Sequence, residues 1–261
     1  MTRTQCIGRS IAAVFLVTFT AAPAMAASAD DDLQRKVERR LSKEEVVGFS
    51  VETAVRGNEV TLTGEVPSLW HKEWAIERAS DTEGVVSVVS YLTIRDADGP
   101  HALARGVAEA IRRYPYYTVF DYVSGSIEDS IVTLHGVVTA RPDKPGDLYE
   151  RVSRVPGVKG IVTDLDVLSP GIGDERIRAS LARGVYGHPA FHRYVGLDPG
   201  IHLIVRNGYV TLKGAVLTQA DRIQADAIAR RTFGVIKVDN QLRTKAEMLK
   251  AAPQQDAAGV E

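Results

Sequence analysis

A five-residue pattern, Val-Thr-Leu-x-Gly, occurs three times in this chain of 261 residues: in NEVTLTGEV at 58–66, SIVTLHGVV at 130–138 and GYVTLKGAV at 208–216. The glycines of the three copies, Gly64, Gly136 and Gly214, are separated by 72 and 78 residues. Solenoid repeats have periods of roughly 20 to 50 residues, so this period is the size of a small domain. The pattern therefore predicts three small domains in place of one large one.

Each copy of the pattern has the same neighbours along the chain. Upstream, apolar residues recur four apart, which predicts a helix with one stripe facing a core: Leu33/Val37/Leu41, Leu103/Val107/Ile111 and Ile177/Leu181/Val185. An extended run, a polar turn and the Val-Thr-Leu strand follow, so we expect hairpins with turns at Gly57-Asn58, Asp129-Ser130 and Asn207-Gly208. A second helix and a β-rich run complete each copy.

This order of elements predicts an α+β fold, with three tandem small αββαβ domains. Each domain is expected to be a three-stranded mixed sheet with two helices on one face, because the strand–helix–strand crossover places the third strand parallel to the second. The expected boundaries are residues 27–96, 97–170 and 171–246, with a disordered tail at 247–261.

Glycine is expected to have a structural role at two positions of every copy. The glycine after each Val-Thr-Leu strand would permit a bend or a close backbone approach: Gly64, Gly136 and Gly214. A second glycine is expected to end the second helix of each copy at positive φ: Gly84, Gly157 and Gly234.

The start of the chain predicts export. Arg3 and Arg9 precede an apolar run at 11–22, and small residues at 24–26 complete the pattern of a signal peptide, residues 1–26, cut after about Ala26. The run is short for a membrane span, and nothing later approaches one. Cys6, the only cysteine, precedes the run, so a mature chain would lack thiols. We expect an exported, periplasmic protein, with peripheral membrane association left open.

The three copies resemble BON domains from about Asp31 to Thr244. The resemblance rests on the element order, the Val-Thr-Leu-x-Gly strand, the Gly-Val after the second helix and the closing VDNQL at 238–242. It is strongest in the third copy; the first lacks the asparagine seen at Asn240, and the second has Asp164 in its place. The resemblance implies αββαβ modules of exported and envelope proteins, including osmotically inducible periplasmic proteins, that associate with phospholipid or envelope partners, generally without catalysis.

The residues give little support for a catalytic or metal site. His188 and His192 are four apart, a spacing that suits metal binding on a helix, but Pro189 lies between them and no third ligand is evident. No nucleophile elbow or phosphate-binding loop occurs in the sequence. We therefore expect no enzyme activity, no metal and no cofactor.

Charge differs strongly between the copies. Residues 27–96 have 9 basic and 14 acidic side chains (−5), residues 97–170 have 8 and 10 (−2), and residues 172–246 have 12 and 6 (+6). Residues 27–261 together have 30 basic and 33 acidic side chains (−3), which argues against nucleic-acid binding by the whole chain. The third domain is therefore expected to face an anionic partner.

Two groups of side chains are candidate binding residues for lipid or a partner. The first combines cations and rings around the first helix of the third domain: Arg176, Arg178, Arg183, Arg193, Tyr186, Phe191 and Tyr194. The alternative is a solvated helix face with rings that close the core. The second group lies in the aromatic segment RYPYYTVFDYV at 113–123, with Tyr116 and Phe120, for which domain packing is the alternative to ligand or membrane contact.

Two main functions follow from these observations. The first is a non-enzymatic envelope protein whose domains bind anionic phospholipid or the envelope surface, in envelope maintenance or osmotic stress. The second is a protein-binding adaptor or chaperone-like stress module of the periplasm. A hydrolase with an unrecognised site would need a carboxylate beside His188 and His192. The oligomeric state and the identity of the lipid or partner stay open.

Overall fold

The computed structural model describes residues 24–42, 50–140, 143–194 and 200–251. The predicted signal peptide therefore lies almost entirely outside the described residues. Helix α1 begins at Ala24, so the predicted cut after Ala26 falls in its first turn. Export remains a prediction.

Three units of the predicted αββαβ order follow one another. Unit 1 has α1 (Ala24–Ser42), β1 (Ser50–Arg56), β2 (Glu59–Val66), α2 (Leu69–Ser80) and β3 (Ser87–Ile94). Unit 2 has α3 (Pro100–Arg112), β4 (Tyr122–Glu128), β5 (Ile131–Thr139), α4 (Lys144–Ser153) and β6 (Gly160–Leu168). Unit 3 has α5 (Ile172–Tyr186), a 3-10 helix (Pro189–Tyr194), β7 (Ile201–Arg206), β8 (Tyr209–Val216), α6 (Gln219–Arg231), β9 (Lys237–Asn240), β10 (Arg243–Thr244) and α7 (Lys245–Ala251).

The sheets have the predicted mixed topology. In units 1 and 2 the central strand pairs antiparallel with the strand before it and parallel with the last strand. In unit 3 the last strand is divided: Tyr209 pairs with Lys237 in β9, and Ala215 pairs with Arg243 in β10. Both pairs have the same sequence offset, so β9 and β10 are one strand interrupted at 241–242. The predicted fold class is confirmed.

The expected core positions are buried in every unit. Val132 and Leu134 of unit 2, and the matching pairs of the other units, are inaccessible or nearly so, while the threonine between them is half-buried. Alternation along a strand explains this, because successive side chains point to opposite faces of the sheet. The sequence comparison matched Asp164 of the second copy with Asn240 of the third, and the strand register shows that this match is wrong. Asn240 pairs with Leu212, whereas Asp164 pairs with His135, one residue beyond the equivalent leucine.

The glycine of the repeated pattern is needed because two strands approach closely. At Gly214 a Cβ would lie 2.2 Å from the carbonyl oxygen of Gly200, and at Gly136 it would lie 2.0 Å from that of Tyr122. Both glycines also have positive φ, at 113° and 141°. The two strands thus approach closely at Gly136 and Gly214, and each glycine lies within its strand and not after it.

Two expectations need correction: one about the glycines at helix ends and one about the start of the C-terminal tail. Gly84, Gly157 and Gly234 have positive φ but lie three or four residues beyond the last helical residue, in the turn that leads to the next strand. The predicted tail at 247–261 begins too early, because α7 continues to Ala251 and Glu247 closes its first turn by accepting from the amide of Thr244 at 2.7 Å. Residues 252–261 lie outside the described residues.

Unit 2 packs against unit 1 through the turn that precedes its last strand. Gly157 N donates to Pro67 O at 2.9 Å, and Leu69 N donates to Val158 O at 3.1 Å. The guanidinium of Arg154 lies 4.2 Å from the ring centroid of Trp70. These contacts cover the α4–β6 turn of unit 2 with the loop before α2 of unit 1.

Unit 2 packs against unit 3 through the chain before β4. Leu203 N donates to Val119 O at 2.6 Å, so this chain pairs with the free edge of β7. The ring of His202 donates from Nδ1 to Asp121 O, because a carbonyl can only accept. Val119 and Phe120 pack against the core of unit 3.

Among the residues that the structure describes, none of the helices is both long and apolar enough for a membrane span.

Candidate functional site

The predicted arginine group on α5 is divided between the core and the surface. Arg178 is 2% exposed; it donates from Nη1 to Glu175 at 2.5 Å and from Nη2 to Val205 O at 2.9 Å. The interpretation of Arg178 as a binding residue is therefore wrong, because its guanidinium holds α5 against β7. Arg176 and Arg183 are exposed on the same helix, as predicted.

Arg193 is exposed but already bound within unit 3. Its Nη2 contacts both carboxylate oxygens of Asp221, at 2.5 and 2.6 Å. Asp221 also accepts from Thr218 Oγ1 at 2.7 Å and Tyr194 Oη at 2.8 Å. Burial acts to raise the pKa of Asp221, but the hydrogen bonds from Thr218, Tyr194 and Arg193 outweigh it and lower that pKa. Arg193 therefore stabilises the start of α6.

The aromatic side chains of this group close the core. Phe191 is inaccessible, Tyr194 is buried, and the half-buried Tyr186 donates to Ile201 O. Burial raises the pKa of Tyr186. The prediction that these rings face a lipid surface is wrong, and the alternative of core closure is correct. The segment between α5 and β7 includes the 3-10 helix that carries Phe191 and Tyr194.

The aromatic segment of unit 2 is divided in a similar way. Phe120 is half-buried against unit 3, which agrees with the domain-packing alternative. Tyr116 is exposed, and its ring contacts that of Tyr114, which is buried in the core of unit 2. The structure therefore leaves Tyr116 as the surface residue of the pair that the sequence suggested.

The two histidines do not come together with a third ligand. His188 is half-buried, with Nδ1 accepting from the amide of Ala190 at 3.2 Å and its ring against Phe191. His192 is exposed on the 3-10 helix. Within the described residues, no group of three or more His, Cys, Asp or Glu side chains could hold a metal ion.

The most exposed apolar surface belongs to one end of unit 3, which we term the unit 3 tip: Tyr209, Arg231, Phe233, Ile236 and Lys237. The apolar side chains Phe233, Ile236 and Tyr209 are 97%, 69% and 53% exposed. Ile236 lies against the β7–β8 turn, since Ile236 N donates to Gly208 O at 2.9 Å, and Tyr209 after that turn pairs with Lys237; Phe233 precedes Ile236 by three residues. Arg231 and Lys237 are exposed beside them and form no ion pair with other described residues.

The same turn has a different environment in each unit. In unit 2 it is covered by unit 1 through Gly157 and Val158. In unit 1 it carries Glu83 beside an exposed Val86, so its surface is acidic. Only in unit 3 does the turn combine exposed apolar side chains with unpaired cations. Aligning the turn glycines would have found Phe233 from sequence, since it precedes Gly234 as Glu83 precedes Gly84.

The fold defines a class of protein: a tandem array of small αββαβ modules, here with an exposed apolar and cationic surface on the last one. The BON domain family matches residues 29–96 and 174–246, which are units 1 and 3. The chain belongs to the BON domain family. Unit 2 lies outside the two matched ranges, and it has the same element order and sheet topology in the structure.

Other comparisons add little. A comparison with curated proteins gives no match. Two solved structures of CdsD, a structural protein of the type III secretion system of Chlamydia trachomatis, align at 14% and 15% identity; the first is its C-terminal domain. The alignments cover 81% and 84% of this chain and 96% of each CdsD chain, with a TM-score of 0.24 in both. A TM-score this low carries no argument about function.

Proposed function

We propose that this BON-domain protein is a non-enzymatic exported protein of the cell envelope that binds anionic phospholipid through the unit 3 tip. The observation that carries the proposal is the 97% exposed Phe233 beside two unpaired cations, Arg231 and Lys237. Export rests on the basic and apolar pattern of residues 1–26, and a role in envelope maintenance or osmotic stress rests on the family resemblance.

The tip supplies both kinds of attraction that a peripheral lipid contact requires. Full burial of a Phe or Ile side chain is worth about 1.5 to 3 kcal/mol, so full burial of the exposed parts of Phe233 and Ile236 would give about 2.5 to 5 kcal/mol together. Each cation near an anionic surface adds about 1 kcal/mol, and salt screens that part alone. The aromatic ring and hydroxyl of Tyr209 suit the interface between apolar chains and water.

The charge of unit 3 favours the same membrane partner. Unit 3 has the +6 balance found in the sequence, whereas units 1 and 2 are acidic. An anionic bilayer would therefore attract unit 3 and repel unit 1, which orients the chain with its last unit toward the membrane. Arg176 and Arg183 on α5 add to this long-range attraction.

The experiment is flotation of the protein with vesicles of phosphatidylglycerol and of phosphatidylcholine, each at low and high salt. We expect binding to phosphatidylglycerol that weakens with salt and is reduced at least tenfold by Phe233→Ser with Ile236→Ser. Val86→Ser is the matched control, because Val86 occupies the position of Ile236 in the acidic turn of unit 1. Equal flotation of the double variant and the wild-type protein would remove the tip as the site.

Protein binding through the aromatic segment of unit 2 is the alternative function. Phe120 is used in packing against unit 3, and that leaves Tyr116 as the exposed ring of the pair. The geometry gives this alternative no support comparable to that of the tip.

A further inference from the structure

A cavity of about 1000 Å³ lies between units 2 and 3, away from the tip. One wall is Tyr122 of β4, and the residues that matter to its chemistry are His202, Lys213, Arg222, Arg243 and Glu247 of unit 3. Met248, which is half exposed, adds an apolar side chain to the lining.

Strand register explains why cations gather in this cavity. His202 pairs with Lys213, and their neighbours Leu203 and Leu212 pair and are buried against the helices. Since side chains alternate along a strand, His202 and Lys213 project from the opposite face of the sheet, where unit 2 covers His202 and Lys213 is half-buried. Arg243 pairs with Ala215, two residues beyond Lys213, so it belongs to that same face.

The cavity has more positive than negative side chains. Lys213, Arg222 and Arg243 contribute three positive charges, and Glu247 contributes one negative charge, which leaves a balance of +2. Arg222 lies 3.5 Å from Glu247, while neither Lys213 nor Arg243 forms an ion pair among the described residues. Hydrogen bonds from Thr244 lower the pKa of Glu247, and the two arginines lower it further, so the balance holds at neutral pH.

The contact between the units fixes the walls of the cavity. Nδ1 of His202 donates to Asp121 O of unit 2, which sets the orientation of the imidazole ring. The ammonium of Lys213 lies 4.7 Å from the ring centroid of Tyr122. Lys213 is therefore held against a preformed wall, which reduces the side-chain ordering that this residue needs when an anion binds.

We propose that this cavity binds a phosphate group. A phosphomonoester carries about −1.5 to −2 charges at pH 7, which matches the balance of +2. The guanidinium groups of Arg222 and Arg243 can each bind two phosphate oxygens, and Lys213 supplies a point charge. The exposed side chain of Met248 gives an apolar surface for the organic part of the ligand.

The test is calorimetric titration of the full chain with glycerol phosphate in the absence of vesicles. We expect saturable binding, weakened about tenfold or more by Lys213→Gln or Arg243→Gln, because a hydrogen bond to a charged group is lost. Lys213→Arg should retain binding, and Arg105→Gln, an exposed residue of unit 2, is the matched control. Circular dichroism checks that each variant is folded.

A second arm distinguishes a free phosphate compound from a lipid headgroup. If glycerol phosphate does not bind, but Lys213→Gln and Arg243→Gln weaken flotation with phosphatidylglycerol vesicles and Arg105→Gln does not, the phosphate belongs to lipid. If neither probe responds to these variants, the proposal is overturned. Phe233→Ser should leave glycerol phosphate binding unchanged, so failure of the tip and failure of the cavity are distinguishable.

Discussion

Replacement of Lys144 by Met tests the polar network that holds unit 2 against unit 3. Lys144 is 1% exposed, and its Nζ donates to Asp121 Oδ2 at 2.7 Å and to Thr139 Oγ1 at 2.8 Å. Asp121 is inaccessible and also accepts from the backbone and hydroxyl of Thr118 and of Thr139. Lys144→Met removes the only cationic partner of Asp121 among the described residues and leaves it four neutral donors.

The expected cost follows from that geometry. Removal of one member of a buried ion pair costs about 3 to 5 kcal/mol, and the four remaining donors place this case near 3 kcal/mol. Lys159→Met is the matched control in the same unit. Its ammonium lies 2.6 Å from Asp96 in an exposed pair, so its loss should cost less than about 1 kcal/mol.

Hydrogen exchange of peptides from β5, α4 and β7 is the suitable assay. Fluorescence would report elsewhere, because both tryptophans, Trp70 and Trp74, belong to α2 of unit 1. We expect faster exchange in β5 and α4 for Lys144→Met. The change should extend to β7, since Asp121 O accepts from His202. Equal effects of Lys144→Met and Lys159→Met would refute the argument that burial makes this pair important.

Three further predictions concern other contacts. The pKa of Asp221 is lowered in the folded state, so its stabilisation is complete above about 3.8 and is lost as the pH falls through the folded value; unfolding of Asp221→Asn should be less acid-dependent. Gly214→Ala, with its Cβ 2.2 Å from a carbonyl oxygen, should cost about 3 kcal/mol or more in thermal unfolding, whereas Gly173→Ala, with open space, should not destabilise. Burial is the main cause that lowers the pKa of His71, and the positive charge of Arg154 lowers it further. Arg154→Ala should therefore raise the pKa of His71 toward 6.5 in an NMR titration; an unchanged pKa would leave burial as the cause.

The repeated pattern was sufficient to predict the fold. Apolar residues such as Leu181 and Val185 recur at helical spacing, and Val210 and Leu212 alternate along a strand, so the two periods identify the buried side of each element from the amino-acid sequence alone. The divided last strand of unit 3 was not predictable in this way, because β9 and β10 keep one register on either side of the interruption at 241–242.

The binding residues were harder to predict, because charge does not reveal where a side chain points. Arg178 follows the buried Ile177 and lies at the edge of the apolar stripe of α5, where a guanidinium can reach Val205 O. Tyrosine is a residue type common at membrane interfaces, yet the hydroxyl of Tyr194 donates to Asp221 inside unit 3. In both residues, partners distant in sequence determine where the side chain points. The same holds for Lys213 and Arg243, which share one face of the sheet only because of the register between β8 and β10.

The three units differ in what their surfaces contact, and the difference is clearest in unit 2. Its α4–β6 turn is covered by unit 1, and its chain at 118–122 pairs with the edge of unit 3. Unit 2 is also the unit that lies outside the matched ranges of the BON family. Residues at these contacts, such as Arg154, whose guanidinium lies over Trp70, and Asp121, whose carbonyl oxygen accepts from His202, follow the needs of the contacts rather than those of a free module. Unit 2 therefore links the other two units, whereas the turn before the last strand of unit 3 stays exposed.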